Sequence, residues 1–240
     1  MRIAVLSDIH GNVPALDAVL GDLARHEVDA IAVLGDHVTG PVDPAGAAER
    51  IMALDAICIR GNHDRWTVDT TLRRAGKVDR FARTQLDAGQ LAWLAALQPT
   101  ARVGDAAFLC HGTPGNDEAP WLDNFYAGRT TILPSEADVA REAAGIDMPV
   151  ILCGHTHIAR TLRLSDGRLI VNPGAVGMQL VRGSPDAHYA LVEQVDGLWQ
   201  TALIAVPYDT ERAALLAERN GFPAWGDSIR YGWAGPESLG

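Results

Sequence analysis

Residues 2–12, Arg-Ile-Ala-Val-Leu-Ser-Asp-Ile-His-Gly-Asn, decide how the chain begins to fold. The run that ends at Leu6 is short, aliphatic and partly β-branched, which is typical of a strand buried on both faces. A polar stretch follows it at once. Asn12 can then cap a helix, because the apolar residues between positions 16 and 23 recur with helical spacing. The segment therefore predicts a buried strand, a polar loop and a helix packed on that strand.

The same alternation continues along the chain. Strand-like apolar runs occupy residues 30–34 and 56–59, and a helical pattern lies between them at 44–53. Strands that alternate with helices favour a parallel sheet covered by helices. In the last third of the chain, turn signals such as Asp166-Gly167 and Asp196-Gly197 separate the strand-like runs and favour antiparallel hairpins. We predict an α/β (α+β) fold with two β-sheets.

The composition is that of an ordinary globular protein. The chain has 240 residues, of which 48% are hydrophobic and 21% are charged. We predict a single domain over residues 1–240, in which residues 222–240 form an irregular tail. The formal net charge of −10 argues against a surface for extended nucleic acid, because such a surface needs clustered Lys and Arg.

Cysteine content and hydropathy indicate where the protein works. No apolar stretch approaches the length of a membrane span, and the N-terminal apolar run is too short for a secretory signal. The 3 cysteines are an odd number in apolar surroundings, which favours buried free thiols in a reducing compartment. We expect a cytoplasmic protein that binds no membrane. The oligomeric state stays open.

Short polar clusters carry the chemistry, and most of them follow an apolar strand directly. They are Asp8-Ile9-His10, Gly35-Asp36, Gly61-Asn62-His63-Asp64, His111-Gly112 and Gly154-His155-Thr156-His157. Side chains just past the carboxyl ends of parallel strands converge on one crevice. Imidazole and carboxylate ligands suit manganese, iron, zinc or nickel, and a carboxylate such as Asp36 can bridge two such ions. A metal pair of this kind can hold a hydroxide and clamp the oxygens of a phosphoryl transfer.

The order of these clusters resembles the calcineurin-like metallophosphoesterases, and in particular their small bacterial and archaeal phosphodiesterase branch. Other stretches share the resemblance, which extends over roughly residues 1–220: Ser7-Asp-Ile-His-Gly-Asn12, His111-Gly-Thr-Pro114, Asn172-Pro-Gly-Ala-Val-Gly177 and Val206-Pro-Tyr-Asp209. The resemblance implies two β-sheets packed face to face and flanked by helices, a four-layer αββα sandwich. This expectation agrees with the strand pattern.

The resemblance also implies a role for each matching residue. The first metal ion takes Asp8, His10 and His157, the second takes Asn62, His111 and His155, and Asp36 bridges them. By the same resemblance, His63 is not a ligand but a catalytic residue that points at the substrate phosphate and either assists the leaving group or stabilises charge. Asp64 is expected to orient His63. Two divalent or trivalent ions are expected, with manganese first and iron, zinc and nickel as alternatives.

The implied activity is hydrolysis of a small phosphodiester or nucleotide-type substrate by a metal-bridged hydroxide. A phosphomonoesterase, a phosphoprotein phosphatase and a non-catalytic binding module on the same fold stay open as alternatives. The loop over residues 112–134 carries Trp121, Phe125 and Tyr126, which either stack on a nucleobase or pack the loop onto the domain. The stretch Gly35-Asp-His-Val-Thr-Gly-Pro41 lacks a tyrosine that the family often has, which leaves the substrate contacts of this loop open.

Overall fold

The computed structural model describes residues 1–126 and 130–233. Its strands are β1 (Arg2–Leu6), β2 (Ala30–Val33), β3 (Ile57–Cys58), β4 (Ala101–Val103), β5 (Ala107–Leu109), β6 (Asn124–Tyr126), β7 (Thr130–Ile132), β8 (Val150–Leu152), β9 (Arg160–Arg163), β10 (Leu169–Asn172), β11 (Ala187–Val195) and β12 (Leu198–Val206). Its helices are α1 (Val13–Leu23), α2 (Pro44–Met52), α3 (Asn62–Val68), α4 (Lys77–Gln85), α5 (Ala88–Ala96), α6 (Glu136–Glu142), α7 (Thr210–Arg219) and α8 (Pro223–Tyr231).

The strands form two mixed sheets and one hairpin. The first sheet has five strands in the order β12-β11-β1-β2-β3, in which β1, β2 and β3 are parallel and β11 and β12 are antiparallel. The second has five strands in the order β4-β5-β8-β10-β9, and β8 pairs in parallel with both β5 and β10. Strands β6 and β7 form the hairpin. The carboxyl ends of β1, β2, β5 and β8 lead directly into the polar clusters.

The two sheets pack face to face, with helices on both outer faces. Alternate residues of β1 and β8, such as Val5 and Val150, meet in the shared core between the sheets. The other face of the first sheet packs on α1 and α2, and the other face of the second packs on α6. Each fully buried aliphatic side chain contributes about 1.5–3 kcal/mol to folding. The predicted sandwich of two packed sheets flanked by helices is confirmed.

The C-terminal segment differs from the irregular tail that the sequence predicts over residues 222–240. Residues Pro223–Tyr231 form helix α8. Pro223 suits the first turn of the helix, and Gly232 ends it with a left-handed backbone at φ 67°. Trp225 and Ile229, one helical turn apart, are buried and anchor the helix. Residues 234–240 lie outside the described part of the chain. Among the described helices, none is long and apolar enough to cross a membrane.

Candidate metal centre

Several residues in the loops after β1, β2 and β8 have a left-handed backbone conformation, and they lie at the centre of the crevice at the ends of these strands. Asp8, His10, Asp36, His155 and His157 have φ values of 54°, 48°, 53°, 68° and 60°. Non-glycine residues rarely adopt this conformation, which costs about 1–3 kcal/mol each. Such conformations cluster at functional sites because they turn side chains sharply off the end of a strand. Here they direct the polar side chains after β1, β2 and β8 into one space.

The loops after β1 and β2 are hydrogen-bonded to each other along their length. Asp8 N–H donates to Gly35 O at 3.1 Å, and His10 N–H donates to Asp36 O at 2.9 Å. Gly40 also lies directly against the first loop, since a Cβ atom at position 40 would be 1.7 Å from the carbonyl oxygen of His10. The absence of a side chain at position 40 is therefore what allows the second loop to support the first.

We expect Gly40→Ala to lower the free energy of unfolding by about 1–3 kcal/mol, because the added methyl group must displace the backbone of His10. Thermal unfolding of the two proteins measures this loss. Gly21→Ala is the matched control. Gly21 lies inside α1 with nothing within 4 Å of an added Cβ, so alanine there should stabilise by about 0.5–1 kcal/mol. An equal melting temperature for Gly40→Ala and wild type would contradict the close approach.

Backbone carbonyl oxygens orient several of the imidazoles. The bonds run from Nδ1 of His10 to Thr39 (2.6 Å), from Nδ1 of His111 to Leu34 (2.8 Å) and from Nδ1 of His157 to Met178 (2.7 Å). Because a carbonyl oxygen only accepts, Nδ1 carries the proton and the neutral ring keeps the Nε2 lone pair free. Metal-binding histidines are typically oriented in this way.

The Nε2 atoms and two carboxylates meet in one buried space. His10 Nε2 lies 3.2 Å from His157 Nε2, a distance at which two lone pairs repel unless a cation lies between them. Asp8 Oδ1 lies 3.3 Å from His157 Nε2, and Asp36 Oδ2 lies 3.3 Å from His111 Nε2. Asp8 Oδ1 and His111 Nε2 are buried without a hydrogen-bond partner among the described residues. These unpaired atoms and this donor set fit a metal ion.

The ligand atoms form two overlapping groups. Those of Asp8, His10 and His157 lie within 4.8 Å of one another, and so do those of Asp8, Asp36 and His111. Asp8 therefore belongs to both groups. Asp36 Oδ2 also lies 3.8 Å from His10 Nε2, so the second carboxylate reaches both groups as well. The carboxylate pair lies between the imidazoles of the two groups.

Asn62 and His155 extend the His111 side of the cluster. Asn62 Oδ1 lies 3.1 Å from His155 Nδ1. The rings of His155 and His111 are 5.2 Å apart, and the backbone N–H of His155 donates to Asp8 Oδ2 at 3.1 Å. The structure thus brings together all the ligands that the resemblance implies. Asn62, His111 and His155 share one side, and His10 and His157 share the other.

The electrostatics of the cluster favour a cation. Burial raises the pKa of Asp36, but the imidazoles of His111 and His63 hold it well below its usual range. Burial lowers the pKa of His111, whereas Asp36 and Asp8 raise it to about 10. Burial and the nearby His157 lower the pKa of His10 to about 4. The carboxylates therefore stay ionised, and a metal ion would replace the proton that His111 otherwise holds.

Asp64 is buried but has a different partner from the one predicted. Its carboxylate accepts hydrogen bonds from the backbone N–H groups of Asp36 (2.8 Å), His37 (2.9 Å) and Gly61 (2.9 Å). The prediction that Asp64 orients His63 is wrong, because a carboxylate at the third position of α3 turns back to the start of the helix. Asp64 instead ties the loop after β2 to α3.

His63 pairs with Asp79 from helix α4. His63 Nδ1 lies 2.8 Å from Asp79 Oδ1, and Gly76 N–H donates to Asp79 Oδ2 at 2.6 Å. Burial lowers the pKa of His63, but the carboxylates of Asp36 and Asp79 raise it above its ordinary value. Sequence reasoning missed Asp79. The sequence marks Asp79 only weakly. It is an acidic residue three positions after Gly76, at the start of a helix with few apolar residues.

The crevice opens to solvent at His63. The side chain of His63 is 24% exposed, whereas Asp8, Asp36 and His111 are buried. The His63 ring packs edge-on against His10 at 5.5 Å and against Trp66 at 4.6 Å. His63 therefore stands between the metal-ligand cluster and the open side of the crevice.

The loop over residues 112–134 does not present Trp121 to a ligand. Trp121 is 4% exposed, its Nε1–H donates to the carbonyl oxygen of Val139 at 3.2 Å, and it packs in the core with Leu122. This supports the interpretation that the residue packs the loop onto the domain. The side chains of Phe125 and Tyr126 lie outside the described part of the chain.

Comparisons with known proteins identify the family. Residues 1–197 match the family model of the calcineurin-like phosphoesterase superfamily domain. A metallophosphoesterase from Sphaerobacter thermophilus has 27% sequence identity and a TM-score of 0.77, with coverage of 97% of this chain and 99% of that one. The hypothetical protein PH1004 from Pyrococcus horikoshii shares the fold at 19% identity and a TM-score of 0.78, with coverage of 98% and 99%. The uncharacterized protein MJ0912 of Methanocaldococcus jannaschii is 26% identical over 245 residues, which cover 93% of this chain and 94% of that protein.

The chain belongs to the calcineurin-like phosphoesterase superfamily. The family expected from the order of the polar clusters is therefore confirmed. Members of this family are metal-dependent phosphoesterases, and the buried carboxylates and imidazoles described above are candidate ligands. The family implies a small phosphoester as the substrate.

Proposed function

We propose that the protein is a phosphodiesterase that uses two divalent metal ions, with manganese as the working ion, to hydrolyse a small phosphodiester or nucleotide-type substrate. Asp8, His10 and His157 would hold one ion and Asn62, His111 and His155 the other, with Asp36 between them. The diester preference follows the resemblance of the motifs to the small phosphodiesterase branch of the family.

One observation carries this proposal. Two buried carboxylates, Asp8 and Asp36, lie among imidazoles whose free Nε2 atoms face the same space. Burying two carboxylates side by side is costly unless cations compensate them. The unpaired Asp8 Oδ1 and His111 Nε2 are the atoms that such cations would satisfy. A non-catalytic module would not need His63 at the open edge of the cluster.

The metal ions and the side chains around them would have different roles in the reaction. When bound, the metal ions would activate a water molecule and neutralise charge on the phosphoryl oxygens. Asp36 Oδ1 accepts a hydrogen bond from the backbone N–H of His63 at 2.9 Å, which fixes that residue relative to the ligand cluster. His63 Nδ1–H is held by Asp79, so Nε2 is the nitrogen that gives a proton to the leaving oxygen. Positioned proton transfer of this kind is worth about 10²–10⁴ in rate.

We further propose that the enzyme works in a reducing cytoplasm. Cys58, Cys110 and Cys153 are all free thiols. Burial raises the pKa of Cys58 to about 12, which makes this thiol unreactive. None of these cysteines takes part in the proposed reaction.

The proposed function is tested with a diester and a monoester that carry the same chromophore. We expect the protein to be inactive after chelation and to regain activity with Mn²⁺, because the bound ions would activate the attacking water and neutralise charge on the phosphoryl oxygens. The restored rate should be higher with bis(p-nitrophenyl) phosphate than with p-nitrophenyl phosphate. Absorbance of the released nitrophenolate measures both rates.

The other outcomes separate the alternatives. A higher rate with the monoester would replace the phosphodiesterase by a phosphomonoesterase, and phosphoproteins and mononucleotides would become the substrates to test. Bound metal without hydrolysis of either ester would contradict the proposed enzyme and favour a binding module. Full activity in the presence of the chelator would contradict the metal centre itself.

A further inference from the structure

Helix α4 brings a carboxylate to His63 from outside the family's motifs. Asp79 is 1% exposed and makes two short hydrogen bonds. One oxygen accepts from His63 Nδ1 at 2.8 Å, and the other accepts from the Gly76 backbone at 2.6 Å. Because both oxygens are engaged, the carboxylate is fixed in orientation and can in turn fix the imidazole ring.

We propose that Asp79 is the positioning residue for His63, an inference that rests on the proposed function. A carboxylate beside Nδ1 selects the neutral tautomer that carries its proton on Nδ1 and leaves Nε2 facing the crevice. It also stabilises the imidazolium form from which Nε2 delivers a proton. Asp79 itself neither gains nor loses a proton in the reaction. Carboxylates play this part for a catalytic histidine in hydrolases of unrelated fold.

Packing of helix α4 against the C-terminal segment restrains the position of Asp79. Its neighbour Val78 is buried in a cluster with Trp225 and Ile229 of helix α8. The half-buried ring of Phe81 also packs edge-on against Phe222, the residue before α8, with the ring centroids 5.2 Å apart. The C-terminal helix therefore supports α4, although it lies beyond residues 1–197 of the family domain.

The start of α4 needs only one of the two oxygens of this carboxylate. A capping box at the start of α4 requires only a side chain that accepts from the Gly76 N–H, and Asp79 Oδ2 alone provides it. The second oxygen is left for His63. Capping of α4 does not explain why Asp79 Oδ1 is buried against the imidazole of His63 at the open edge of the crevice.

Asp79→Asn tests the proposal, because it keeps the volume and removes the charge. We expect the Mn²⁺-loaded variant to lose about 10- to 100-fold in kcat, as for other residues that orient a functional histidine. Metal content should stay at the wild-type value. The loss should be greater with an alkyl phosphodiester, whose leaving oxygen needs a proton, than with bis(p-nitrophenyl) phosphate. Asp87→Asn is the matched control, since Asp87 is an exposed cap of α5 and Asn caps a helix equally well.

A double-mutant cycle separates positioning from structure. In a His63→Ala background, Asp79→Asn should change kcat by less than about twofold, because the residue acts through the missing ring. Equal losses in both backgrounds would overturn the proposal. So would a loss that is the same for both leaving groups.

A measurement without turnover completes the test. In the metal-free protein, the Nδ1 proton of His63 should give a downfield NMR signal, because its acceptor is a carboxylate. The signal should move upfield or be lost in Asp79→Asn, and it should be unchanged in Asp87→Asn. An unchanged signal in Asp79→Asn would overturn the positioning role. Failure of the proposed function is distinct, because the wild type would then show no metal-dependent hydrolysis while this NMR difference remained.

Discussion

Asp36→Asn should leave a folded protein that no longer holds its metal ions and hydrolyses bis(p-nitrophenyl) phosphate at least about 10³-fold more slowly. Asp36 Oδ2 lies within 3.8 Å of both His111 Nε2 and His10 Nε2, so a single oxygen of Asp36 reaches both ligand groups. Metal ions provide several kcal/mol of transition-state stabilisation, and 1.36 kcal/mol corresponds to a factor of ten. Elemental analysis after desalting and initial rates measure the two losses.

The structure of this variant should survive the change. An asparagine at position 36 can still accept from the His63 N–H that Asp36 Oδ1 now binds. It also removes the repulsion between the two buried carboxylates of Asp8 and Asp36. Asp17→Asn, on the exposed outer side of α1, is the control and should retain metal and activity. Wild-type metal content and rate in Asp36→Asn would contradict the assignment of Asp36.

His63→Ala should keep its metal ions and lose most of its turnover. The side chain of His63 is partly exposed at the edge of the crevice, and its ring packs edge-on against the His10 ring with the ring centroids 5.5 Å apart. Removal of a positioned acid costs about 10²–10⁴ in kcat. Elemental analysis and kcat separate the two effects, because a ligand would affect both and an acid only the second.

His26→Ala serves as the control for this variant. His26 follows α1 and lies close to Asp22, away from the crevice, so its removal should leave kcat unchanged. Turnover of His63→Ala equal to that of the control would contradict the proton-transfer role. A loss of bound metal in His63→Ala would make His63 a ligand instead.

The fold could be predicted where periodicity was strong. The runs that became β1 and β2 and the helices α1 and α2 have clear apolar patterns, and their bounds match within a residue or two. Helix α4 was missed because charged residues dominate it and few of its side chains are buried. Helix α8 was missed although Pro223 and Gly232 mark its ends, because a glycine and a short apolar face weaken the pattern inside it.

The site could be predicted as far as the motifs reach. The motif order placed Asp8, His111 and His157 in one cluster, because strand ends meet at one edge of a sheet. Backbone conformation was not predictable: the left-handed φ at His157 is imposed by packing and not by residue type. The partner of His63 was not predictable either. Asp64 is adjacent in sequence, but helix geometry turns it to the backbone, and Asp79 arrives from a helix 16 residues further on.

The most direct measurement is a titration of metal-stripped wild-type protein with Mn²⁺, in which bound ions per chain and the rate of diester hydrolysis are followed together. We expect the rate to rise to its maximum as the second ion binds. In Asp36→Asn we expect no stoichiometric binding of metal and no rise in rate. A maximal rate with one ion per chain, or hydrolysis that continues without metal, would contradict the proposed two-metal centre.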